Sequence, residues 1–368
     1  MSICAPESLP GALFDILRGF AALCPSFAMH FPSNSPFTEV HGFFLECVLL
    51  NLHLRRYPPA RQYQYSFWKW AIRHLEELVD AEIDPRIYSH LISVMPQSIP
   101  YVRFPPPSET YATYYWKSEG IPHGATALDR VTVLESRTVI ESGTTGLRTW
   151  LASYVLAHYL ILHRALVQGR RVLELGSGTG LLGLVIAALQ QHPGQRELAP
   201  PSTLWLTDVN SAVLQRCQDN IRLPCNSSSR HPNLKCRLLD WTDAVDPLTR
   251  PSVQTSLAEM DLDVVAGADL VYDPSIIPAL LETLHLALES RSTPPPAPQS
   301  RAVAFVALTV RNKETFARFS RAAGDMFLVE ELDNGLNGAD VFLHGPELGN
   351  MQQVKIFEMK LRKDTDAL

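Results

Sequence analysis

The chain holds six cysteines in 368 residues and no C-x-x-C pair. It also lacks a cysteine–histidine cluster at zinc spacing, which excludes a zinc ribbon, a zinc finger and a dithiol redox motif. Cys4, Cys24, Cys47, Cys217, Cys225 and Cys236 therefore read as structural thiols in a reducing compartment. Long apolar runs are missing as well. The longest candidate, Leu151 to Leu162, falls short of the roughly 20 residues a membrane span needs, and it contains His158. Leu13 to Cys24 is apolar, but Glu7 precedes it, Asp15 interrupts it and no basic segment leads it, so no signal peptide is expected. Positive charge is not in excess: 32 Lys and Arg against 38 Asp and Glu give a net charge of −6. That balance argues against a general nucleic-acid binder. The expectation is a cytoplasmic protein with no membrane contact and no direct nucleic-acid contact.

Composition is otherwise ordinary for a globular protein, with 46% hydrophobic and 19% charged residues, and the length suits two domains. Phe43 to Leu54 and Tyr65 to Val79 carry apolar residues at helical spacing, broken by Arg55-Arg56-Tyr57-Pro58-Pro59. Asp84-Pro85 starts a further helix through Leu91. Residues 1–104 are thus predicted to be an N-terminal helical domain that binds a substrate or partner. Pro105-Pro106-Pro107 marks the boundary. Tyr111 to Trp116 and Val131 to Glu135 read as a hairpin joined by a polar, glycine-bearing loop, and Leu147 to Val167 as a helix.

From residue 170 strands and helices alternate. Strands are predicted at 170–175, 204–209, 235–241, 263–270, 302–310, 326–332 and 354–361. Helices are predicted at 180–190, 211–223, 276–290 and 313–323. This pattern indicates an α/β domain over 105–368: a seven-stranded, Rossmann-like sheet with helices on both faces and a final antiparallel hairpin. Ser292 to Ser300 holds four prolines in nine residues and reads as a mobile linker.

The first of these strands runs into Gly176, Ser177 and Gly178, a turn where a ligand can lie against bare backbone. Gly178, Gly180 and Gly183 also satisfy the G-x-G-x-x-G of dinucleotide sites, a weak signal alone. Glu174 is expected to face whatever lies over the turn. It would repel a pyrophosphate and favour S-adenosyl-L-methionine, which has no phosphate and carries a positive amino group and sulfonium. In an open parallel sheet ligands bind beyond the carboxyl ends of the strands. The second strand ends at Asp208 and Val209, where a carboxylate can accept two ribose hydroxyls. The third ends at Asp240-Trp241, an acceptor for an adenine amino group and an indole to stack on the ring; a surface acid beside a core indole would look the same. The fourth ends Ala268-Asp269-Leu-Val-Tyr272, where Asp269 and Tyr272 would sit beside the sulfonium unless they only cap and underpack the turn. Trp150, ahead of the first strand, either contacts the cofactor or packs in the core.

Five segments in one order carry a resemblance: Ser142-Gly-Thr-Thr-Gly-Leu-Arg-Thr-Trp150, Val172-Leu-Glu-Leu-Gly-Ser-Gly-Thr-Gly180, Leu239-Asp-Trp241, Asp263 through Tyr272, and Thr309-Val-Arg-Asn312. Together they resemble the seven-β-strand protein lysine methyltransferases, in the branch that acts on elongation factor 2. The likeness covers roughly residues 130–325, with a looser match at Tyr57-Pro58-Pro59; residues 292–300 and the C-terminal tail match poorly. It implies methyl transfer from S-adenosylmethionine to a lysine of elongation factor 2 by a monomer. It also implies catalytic roles for Asp269, which would capture and aim the substrate nitrogen, and for Tyr272, whose ring would hold a methylated cationic amine. A nucleobase or small-molecule methyltransferase and a non-enzymatic adaptor are the other readings.

Overall fold

The computed structural model describes residues 9–78, 82–96, 109–117, 128–138, 140–141, 143–191, 202–289, 302–334 and 353–362. The predicted linker at 292–300, the boundary prolines Pro105–Pro107 and the predicted hairpin loop lie outside the described residues. The chain forms two compact units with a boundary after Glu141, whereas the prolines had placed it at 104/105.

The first unit contains α1 (Gly11–Ala21), α2 (Phe37–Gly42), a π-helical continuation (Phe43–Leu49), α3 (Leu52–Arg56), α4 (Arg61–Leu78), α5 (Pro85–Val94) and the antiparallel pair β1 (Glu109–Lys117) and β2 (Leu128–Ser136). In α1, Leu13, Ile16, Leu17 and Phe20 share one buried face at helical spacing. The Asp84 side chain accepts from the Arg86 N–H at 2.8 Å, and Pro85 occupies the first turn, which starts α5 as predicted.

The hairpin belongs with these helices because it shares their core. Tyr115 is buried among Leu17, Phe44, Phe67 and Trp68. Thr110 Oγ1 accepts from the Ala60 N–H at 2.9 Å, and His53 Nε2 lies 3.0 Å from Thr113 Oγ1. Pairing of this kind between distant segments cannot be read from composition shifts. Cys24, Cys217, Cys225 and Cys236 carry free thiols. Cys47 is disulfide-bonded, so the reading of all six cysteines as thiols does not hold.

The second unit is the predicted α/β domain. Its strands are β3 (Arg171–Leu175), β4 (Thr203–Asp208), β5 (Leu234–Leu238), β6 (Val264–Ala268), β7 (Val303–Thr309), β8 (Phe327–Leu332) and β9 (Val354–Leu361). They form one seven-stranded sheet in the order β5-β4-β3-β6-β7-β9-β8, parallel from β5 to β7. β9 inserts antiparallel between β7 and β8. The expected closing hairpin is present, with its last strand placed inside the sheet.

α6 (Leu151–Leu162), α7 (Leu181–Gln190) and α8 (Ser211–Ile221) cover one face; α9 (Arg250–Ala258), α10 (Ile277–Glu289) and α11 (Lys313–Met326) cover the other. Alternation along β3 explains both layers. Leu173 and Leu175 enter the core shared with α10, and Glu174 points to α7. Among the described residues no helix is long and apolar enough to cross a membrane.

Candidate active site

The chain runs from β3 to β4 to β5, then returns to β6 on the far side of β3. Loops leaving β3 and β4 therefore part from those leaving β6 and β7, and the parting opens a crevice at the carboxyl ends of the strands. A cleft of about 480 Å³ lies there, entirely within the second unit. Gly176, Ser177, Gly178, Asp208, Val209, Asp240, Trp241, Ala268, Asp269, Tyr272 and Trp150 all line it. Of the site residues predicted from sequence, Glu174 alone does not.

The floor is the turn after β3. The Ser177 N–H donates to the Thr207 carbonyl at 2.8 Å, and the Thr207 N–H returns a bond to Ser177 Oγ at 3.1 Å, so the turn is tied to β4. Gly178 holds a φ of 55°, in the left-handed region. Its N–H donates to Asp208 Oδ2 at 3.2 Å, and the Asn210 N–H donates to Oδ1 at 2.9 Å. These bonds fix the Asp208 carboxylate at the cleft wall. Burial raises its pKa, against the pull of the backbone donors. Thr149 Oγ1 lies 2.8 Å from Thr179 Oγ1 and joins the segment before α6 to the turn.

Glu174 sits beneath this floor. It is 3% exposed, and one carboxylate oxygen has no hydrogen-bond partner. That oxygen faces Gly183 of α7, where an added Cβ would stand 2.7 Å away. Burial pushes the carboxyl up to about 8, so it is mostly protonated at neutral pH. The expectation that its charge faces the ligand and rejects pyrophosphate is corrected here. Position 174 is the fourth residue of a strand buried on both faces, and its side chain falls on the α7 side.

Beyond β5, Asp240 accepts from the Thr242 N–H at 2.9 Å and from its hydroxyl at 2.7 Å, which caps a 3-10 turn at Trp241–Ala244. β5 ends at Leu238, so Asp240 and Trp241 belong to this turn, not to the strand as predicted. Trp241 packs against the core and also lines the cleft, where its ring approaches Gly176. The indole thus joins the core, as the plainer reading had it, and the pair also faces the cleft. Val209, 59% exposed, and Leu270 supply apolar surface.

Across the cleft, Asp269 has a φ of 54°, a conformation costing an L-residue about 1–2 kcal/mol and best tolerated by Asp and Asn. The adjacent strand holds it there. The Thr309 N–H donates to Oδ1 at 2.8 Å and its hydroxyl to Oδ2 at 3.0 Å, while Arg311 Nη2 donates to Oδ2 at 2.9 Å. The Arg311 guanidinium also lies 4.8 Å from the centre of the Trp150 ring, whose indole N–H donates to the Thr145 carbonyl at 3.1 Å. Asp269 does not cap the following turn; Asp273 does, accepting from the Ser275 N–H at 2.8 Å. Tyr272 does not pack beneath that turn but stands 71% exposed at the rim.

This lining suits S-adenosylmethionine. It offers three carboxylates, two indoles, apolar surface and a glycine floor with little room for side chains. Arg311, Thr149 and Thr179 were not singled out by sequence. Arg311 had a signal, since it lies in the Thr-Val-Arg-Asn stretch that carried the resemblance. Thr149 and Thr179 lie in two of the other stretches that carried it, but nothing in the sequence said that they meet.

Residues 133–303 match the lysine methyltransferase family. The chain is 31% identical over 275 residues to the protein-lysine N-methyltransferase EFM3 of Chaetomium thermophilum, covering 73% of each protein. It is 29% identical over 286 residues to the protein-lysine N-methyltransferase EEF2KMT of Bos taurus, again 73% of each. With the Homo sapiens EEF2KMT it shares 33% identity over 203 residues, 53% of this chain and 54% of that one.

Proposed function

The chain belongs to the lysine methyltransferase family, and from that premise we propose that its substrate is a lysine of elongation factor 2. It is an S-adenosylmethionine-dependent protein-lysine N-methyltransferase. One observation carries the substrate proposal. The 286-residue span shared with the EEF2KMT of Bos taurus is longer than the stretch from residue 133 to the C-terminus, so the likeness reaches into the first unit. A likeness confined to the cofactor cleft would support methyl transfer alone. Such a substrate would put the enzyme in the cytoplasm.

When bound, S-adenosylmethionine supplies a methyl group on a sulfonium. The chain's own residues do the rest. Asp208, braced by two backbone N–H donors, would accept ribose hydroxyls. Asp240, Trp241 and Val209 would hold the adenine, and Gly176, Ser177, Gly178 and Ala268 would let the ligand lie against backbone. Trp150 would close the side toward α6. Glu174 would support the turn from below.

Lysine reacts only as the neutral amine, on the order of one in a few thousand at pH 7 from its reference pKa. Asp269 would receive the incoming ammonium and aim it, and Tyr272 would offer a ring and hydroxyl at the rim. Desolvation in the cleft would then favour proton loss. Orientation is the main source of rate in such an in-line displacement.

The test is incubation of the full chain with methyl-labelled S-adenosylmethionine and purified elongation factor 2, followed by peptide mass spectrometry. Methyl on one lysine is the expected result. No label on the factor, or label in nucleic acid of a cell extract, would sink the proposal.

A further inference from the structure

Arg311 lies between an acid and an aromatic ring. On one side is the Asp269 carboxylate at 2.9 Å; on the other is the Trp150 ring at 4.8 Å. An acid paired with an aromatic face is the chemistry that holds an alkylammonium. Asp269 does not depend on Arg311 for its position, because Thr309 holds both of its oxygens. The Arg311 side chain is 46% exposed, whereas that of Asp269 is 6% exposed. The cation can therefore leave while the carboxylate stays.

We propose that Arg311 is a specificity-determining stand-in for the substrate lysine: it fills the Asp269–Trp150 subsite and yields only to a lysine that the docked protein presents. This rests on the reading of Asp269 as the group that receives the substrate ammonium. The guanidinium sets a threshold. A free amine must displace it unaided, while a docked protein supplies binding energy from elsewhere on its surface. Small amines in solution are excluded without any steric gate.

The probe is n-butylammonium, the lysine side chain without its backbone. It is titrated into the full chain and followed by the indole N–H resonance of Trp150, assigned with Trp150→Phe. Arg311→Ala is expected to bind it about tenfold more tightly than wild type, the scale of one lost cation–π and carboxylate competitor. Arg311→Met, which keeps the aliphatic stem, should do the same and guards against a folding defect in the alanine variant. The double variant Asp269→Asn/Arg311→Ala should lose the gain. Arg148→Ala is the charge control, since Arg148 lies 6.0 Å from the same ring.

Butylammonium binding no tighter in either Arg311 variant overturns the proposal. An equal gain in Arg148→Ala also overturns it, because net charge would then explain the effect. The same variants with elongation factor 2 separate the two readings. If the factor is not methylated but the butylammonium results hold, the substrate is wrong and the Arg311 role stands. If the factor is methylated and Arg311→Ala gains nothing, the Arg311 role alone falls.

Discussion

Gly178 and Gly146 meet backbone to backbone: a Cβ on Gly178 would stand 3.2 Å from the Gly146 carbonyl oxygen. The glycine turn and the Gly-Thr-Thr-Gly loop are thus two halves of one wall, and each limits what the other can carry. Gly178 is also held at a φ of 55°. Gly178→Ala is expected to lose about 1–2 kcal/mol of stability from the backbone alone. Its affinity for S-adenosylhomocysteine should fall more than tenfold by titration calorimetry. Wild-type affinity in this variant would show that the wall yields without cost.

Asp208 is bonded to the two backbone donors that shape the turn. Asp208→Asn keeps the volume and removes the charge. Hydrogen bonds to a charged group contribute about 1.5–3 kcal/mol, so cofactor affinity should drop about ten- to a hundredfold. Asparagine can accept only one of the two N–H bonds, so the variant should also lose about 1–3 kcal/mol of stability without ligand. Unchanged affinity would remove Asp208 from the cofactor site.

Glu174 predicts a pH dependence with a definite sign. Its folded pKa of about 8 is raised from an ordinary 4.5. The folded state therefore binds the extra proton, and stability falls as pH rises from about 4.5 to about 8. Glu174→Gln removes this loss. Its melting temperature should match wild type near pH 4.5 and exceed it by several degrees at pH 8, at about 2–4 °C per kcal/mol for a domain of this size. A constant difference across that range would mean that Glu174 stays ionised in the fold.

Asp269→Asn is the conservative change at the far wall, because Asn also tolerates a left-handed backbone. Methyl transfer should fall at least tenfold, the cost of losing a charged partner for the substrate nitrogen. S-adenosylhomocysteine affinity should stay within twofold. Tyr272→Phe, at an exposed rim position, should lower transfer without changing stability. If both variants work at the wild-type rate, neither residue handles the substrate.

Much of this site was legible before any coordinates. The period-two and helical patterns located all seven strands of the sheet to within a few residues, and the strand-end rule gathered Asp208, Asp240, Trp241 and Asp269 into one cleft. Errors came where a local pattern was silent. α9 was missed because only Val253 and Leu257 of its nine residues are buried, too few to mark an apolar stripe. The hairpin was assigned to the wrong unit because composition marks a linker but not the core that a strand joins.

By itself, then, the order of residues determined the α/β class, the glycine floor and the acids at the strand ends, because these depend on periodicity and on backbone sterics within a few residues. Tertiary structure alone decided the rest. It turned Glu174 beneath the floor, since strand alternation and the packing of α7 choose the face. It inserted β9 between β7 and β8. And it brought Arg311 from the end of β7 between Asp269 and Trp150, residues 42 and 161 positions away in sequence, where only the assembled sheet lets a cation meet an acid and a ring.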